Sequence, residues 1–70
     1  MKRVLHKHLV DAAVDAYVDW REECVSVQAA YDRWTHAPNP DARSAFVAYC
    51  AALDREERAS ETYAALMVRT

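Results

Sequence analysis

The chain contains no glycine in 70 residues. Phosphate-cradling loops and the Gly-x-Ser-x-Gly nucleophile turn both depend on glycine backbone freedom, so both are excluded at once. Proline occurs only at Pro38 and Pro40, which leaves a long stretch on either side without a helix breaker. The two cysteines, Cys24 and Cys50, make no Cys-x-x-Cys pair, and no Glu-x-x-His pair is present to hold a di-iron centre in a helical bundle. Long apolar runs are also missing. The longest ends at Leu53 and falls far short of the roughly 20 residues that cross a bilayer. The N-terminal residues reach Asp11 without the apolar core of a secretory signal. These absences predict a chain with no membrane partner, cytoplasmic, with both cysteines reduced.

What is present is a folding composition: 53% hydrophobic and 29% charged residues, unlike a disordered chain. Seventy residues make one domain at most, and a chain this short buries only about 60% of its unfolded surface. The net charge of -2 gives no global case for nucleic acid or membrane. It is unevenly spread, because Lys2, Arg3 and Lys7 face no acid among residues 1 to 8, which hold +3 and leave -5 for the rest. Abundant Ala, Val, Arg and Asp beside only two Lys is the composition of high-GC bacterial coding.

Ala37-Pro38-Asn39-Pro40 divides the chain. Pro38 disfavours helical angles at Ala37, Asn39 suits an N-cap, Pro40 suits the first helical position, and Asp41 complements the dipole. The expected fold class is all-α: one antiparallel, coiled-coil-like two-helix hairpin, with helix one over about 5–36, a loop at 37–39 and helix two over about 40–69. The first helix has no N-cap and begins with cations, so its first five residues are expected to fray.

Apolar positions repeat at alternating three- and four-residue steps. The expected seam is Val10, Ala13, Tyr17, Trp20, Cys24, Val27, Tyr31 and Trp34 against Ala42, Ala45, Tyr49, Ala52, Glu56, Ala59, Tyr63 and Leu66. Antiparallel pairing with residue numbers summing to 76 sets an aromatic against an alanine in four of eight layers, Trp20 against Glu56, and Arg21 and Glu23 near Glu57 and Arg55. Tyr17-x-x-Trp20 recurs 14 residues later as Tyr31-x-x-Trp34, as does Tyr49 at Tyr63. Such a hairpin resembles small helical-hairpin proteins in general, dimeric RNA-binding hairpins among them. The lack of glycine separates it from secreted hairpins built on a Trp-x-Gly turn.

A second apolar stripe, Val14, Val18, Val25, Phe46, Cys50, Leu53, Ala64 and Met67, lies beside the seam with no third element to cover it. It is the expected interface, two hairpins stacking into a four-helix bundle as a homodimer or on a helical protein partner. Glu56, the one charge in that seam, is read with Trp20 as a register-setting pair and not as an acid-base catalyst. The heptad-spaced aromatics are read as core and not as a base-stacking platform. His6, His8 and Asp11 diverge on a helix, so no metal is expected, and no cofactor or enzymatic activity either. Lys2, Arg3, Lys7 and Arg69 gather at one tip and form the candidate anion-binding site. The expected function is a non-enzymatic, self-associating interaction or regulatory module. The alternatives are a small nucleic-acid-binding regulator using that tip, or a subunit of a larger hetero-complex.

Overall fold

In the computed structural model the backbone is described for residues 2–69 and the side chains for 8–69. Two helices, α1 (Lys2–Thr35) and α2 (Asn39–Arg69), pack against each other along their length as a rod of 58 × 13 × 11 Å. The described residues contain no strand.

α1 extends back to Lys2, beyond the start expected near residue 5. Lys, Arg and Leu are strong helix formers, and a misplaced cation in the first turn costs only about 0.3–1 kcal/mol. The other end stops at Thr35 without a left-handed residue, since no described residue has positive φ. Its closing carbonyl, Asp32 O, is served instead by the His36 N–H at 3.2 Å, the Thr35 hydroxyl at 3.1 Å and His36 Nδ1 at 2.8 Å. Ala37 N–H then closes on Trp34 O at 3.2 Å, a tightened last turn that substitutes for a glycine cap. α2 opens at Asn39, one residue before the expected first helical position, and its first turn is closed by Asp41 N–H donating to Pro38 O at 2.9 Å.

Burial in α2 falls on Ala42, Ala45, Tyr49, Ala52, Glu56, Ala59, Tyr63 and Leu66, each of them at least half-buried and on the expected seam. In α1 the protected set is Leu9, Ala12, Ala13, Ala16, Trp20, Glu23, Cys24, Ser26, Val27, Ala30 and Trp34, while Val10, Tyr17 and Tyr31 are exposed. Five of the eight expected α1 seam positions are thus protected, and the seam is rotated away from the other three. Small side chains explain the rotation: Ala16 and Ala30 let the helices approach closely, and the tyrosines beside them reach across from the flank. Among the described residues only Ala13, Ala16, Ala30 and Ala52 are buried, so the centre of the molecule is made of methyl groups.

The rings do not face alanines as expected; they stack on one another in two nearly identical clusters. Near the termini, Trp20 stacks on Tyr63 at 5.7 Å and 17°, with Tyr17 at 5.5 Å from Tyr63 and 6.1 Å from Trp20. Near the loop, Trp34 stacks on Tyr49 at 5.4 Å and 15°, with Tyr31 at 5.6 Å from Tyr49 and 6.1 Å from Trp34. Moving 14 residues forward in α1 and 14 back in α2 maps one cluster onto the other. The departure is that Phe46 adds a fourth ring, 4.9 Å from Trp34, where the first cluster has Ser60. Each such pair contributes about 0.5–1.5 kcal/mol beyond its buried area, which favours ring on ring over ring on methyl.

Tyr17–Tyr63, Tyr31–Tyr49 and Trp34–Phe46 have numbers summing to 80, against the expected 76. The polar contacts keep closer to expectation, Trp20–Glu56 summing to 76 and Glu23–Arg55 to 78; helical side chains lean toward their own N-terminus, so ring pairs sum to more than the backbone positions they face.

Since Ala52 is 1% exposed and has no space around it, Ala52→Leu should destabilise the hairpin by about 1–3 kcal/mol. Ala51→Leu, on the exposed surface one residue away, should stay within about 0.5 kcal/mol. Urea unfolding followed by tryptophan fluorescence compares the two.

Candidate interaction face

Between the ring clusters the seam turns polar. Trp20 Nε1–H donates to Glu56 Oε2 at 2.7 Å, a short bond to a charged acceptor. Arg55 Nε donates to Glu23 Oε2 at 3.1 Å, from a half-exposed guanidinium to a better-covered carboxylate. The expected partner pair, Arg21 with Glu57, is not formed. Rotation of the α1 seam is the reason, because it moves Glu23 inward and Arg21 out to the flank. Both seam carboxylates therefore have donors, and no buried side-chain polar atom among the described residues lacks a partner.

Seven of the eight residues expected at the interface, Val14, Val18, Val25, Phe46, Leu53, Ala64 and Met67, are exposed in the single chain, and Cys50 is half-buried. They do not all share one face. Relative to the observed seam, Val18 and Val25 lie roughly 170° round α1, on its outer back. Val10, Tyr17 and Tyr31, expected in the seam, join the flank instead. The resulting face carries Val10, Val14, Tyr17 and Tyr31 from α1 with Phe46, Leu53 and Met67 from α2. The signal for this was in the sequence: Ala16 and Ala30 offer a second heptad set beside Tyr17 and Tyr31, and only packing distance chooses between them.

At the terminal end the face is concave. Val10, Ala13, Val14, Tyr17, Tyr63 and Met67 enclose a groove of about 430 Å³. Cys24 and Cys50 are both free thiols. Among the described residues no three His, Cys, Asp or Glu side chains converge on a point that could hold a metal ion. No described helix is long and apolar enough to cross a membrane. Of the candidate anion-binding tip, Lys2, Arg3 and Lys7 lie outside the residues whose side chains are described, and Arg69 is exposed. No protein-family model, curated protein or solved structure matches the chain.

Glu56→Gln keeps an oxygen for the Trp20 indole and removes only the charge, so it should lower stability by about 1 kcal/mol and preserve helicity. Arg55→Ala removes a half-exposed pair and should cost less than about 1 kcal/mol. Loss of the fold in Glu56→Gln, read by circular dichroism, would show that the carboxylate charge holds the two helices together.

Proposed function

We propose that the chain is a non-enzymatic, self-associating helical hairpin, an interaction or small regulatory module whose working form is a homodimer packed as a four-helix bundle. The observation that carries the reading is surface area. The single hairpin exposes 5541 Å², whereas a compact protein of 8.0 kDa exposes about 4,450 Å². That surplus of about 1,100 Å² exceeds the roughly 800 Å² that each partner contributes to a standard interface. Elongation creates the surplus, and a second rod laid alongside is what removes it.

Sidedness supports the same occupant. Seven of the eleven large exposed apolar groups among the described residues, Val10, Val14, Tyr17, Tyr31, Phe46, Leu53 and Met67, share one flank. Asp11, Asp15, Glu22, Asp54 and Glu61 occupy outward positions and give the assembled bundle an acidic exterior. A patch of this kind on a small soluble chain marks a protein-protein contact. Within each hairpin, Trp20 and Glu56 serve as the pin that sets register and rotation. A polar pair in an otherwise apolar seam is satisfied in only one alignment.

Leu53→Glu places a charge in the middle of that flank, at a cost of several kcal/mol if the assembly stays together. Leu53 is 38% exposed in the single chain, so helicity should persist. Wild type should sediment as a dimer at micromolar concentration and Leu53→Glu as a monomer. A folded monomeric wild type would overturn the proposal, and an unaffected mutant dimer would place the interface on another face.

A further inference from the structure

The apolar flank has a projection at one end and a recess at the other. Phe46 and Met67 occupy equivalent positions three heptads apart on α2, so both lie on the same flank. Phe46 leans on Trp34 at 4.9 Å and still presents 43% of its surface to solvent. Met67 helps line the groove with Val10, Ala13, Val14, Tyr17 and Tyr63. In α1 numbering the projection is level with residue 34 and the groove is centred near residue 14, about 30 Å apart at 1.5 Å per residue. A cavity of about 430 Å³ lies in the range that takes up apolar groups.

We infer that the second copy lies antiparallel on this flank, with Phe46 of each hairpin seated in the Val10–Val14–Tyr17–Met67 groove of the other. The inference rests on the self-association proposed above and adds its orientation. A two-fold axis midway, level with Cys24 and Glu56, superposes projection on groove twice, as an isologous interface requires. The parallel arrangement brings both Phe46 rings to the same end and leaves both grooves empty, forfeiting the contacts their walls would make.

Two measurements test the orientation. In a dimer of one isotope-labelled and one unlabelled wild-type copy, the Phe46 ring of one should show cross-relaxation to the Val10 and Val14 methyl groups of the other. Phe46→Glu and Val14→Arg should each sediment as monomers, and an equimolar mixture should recover the dimer, since it retains one native seat and pairs Glu with Arg at the other. A wild-type dimer with no such cross-relaxation overturns the orientation and leaves self-association standing, as does a mixture that stays monomeric although both variants remain helical. A monomeric wild type removes both. If Phe46→Glu fails to fold through loss of its Trp34 contact, the wild-type labelling experiment alone decides.

Discussion

Two helices in contact along one seam protect a stripe on each and leave every other side chain facing water. Here that constraint is made tighter by the choice of alanine at the points of closest approach. Ala13, Ala16, Ala30 and Ala52 let the backbones come near, but a buried methyl group removes far less apolar surface than a buried leucine. Close approach and large burial cannot both be had at the same positions. The chain places its large groups, the tyrosines and tryptophans, at the edges of the seam, where they roof the alanines and remain partly in solvent. The exposed flank is a consequence of that choice.

The repeated ring cluster follows from antiparallel geometry. In a parallel pair, a contact made twice needs the same residue spacing in the same direction on both helices. In this hairpin a 14-residue advance along α1 is matched by a 14-residue retreat along α2, so Tyr17, Trp20 and Tyr63 reappear as Tyr31, Trp34 and Tyr49 with ring distances within 0.3 Å. The copies differ where their surroundings do. Trp20 has Glu56 as acceptor, whereas the corresponding site beside Trp34 is Ala42, and Phe46 adds a ring where the first cluster has Ser60. On the apolar flank, the loop end therefore carries an extra ring and the terminal end a groove.

The α2 seam was fully legible because its alternative registers contain Arg55, Arg58 and Glu57, and charges rule themselves out of a dry stripe. In α1 two registers were nearly equal, one through Tyr17 and Tyr31 and one through Ala16 and Ala30. A sequence read by apolar size prefers the tyrosines. The fold prefers the alanines because interhelical distance, which no residue encodes singly, rewards small groups at the axis and rings beside it. The same gap explains the ring pairing. Residue numbers locate Cα atoms, but the lean of side chains along the helix decides which rings meet. The Trp20–Glu56 contact was readable because a lone carboxylate opposite an indole has few other ways to be satisfied.

Length also bears on how stability is distributed. The loop of His36, Ala37 and Pro38 is too short to let one helix slide past the other by a heptad, so connectivity alone restricts the alignment to a few residues. What it leaves free is rotation of each helix about its own axis, the variable that the seam's polar centre constrains: Glu23 must reach Arg55 while Trp20 reaches Glu56. Rotating α1 toward the tyrosine register would move Ala16, Glu23 and Ala30 away from the axis. The rotation of α1 thus decides which apolar groups remain outside, and the flank it exposes is the surface proposed above for a second copy. Under the proposed self-association, folding and assembly share that flank, so the stability of the hairpin is tied by mass action to its own concentration.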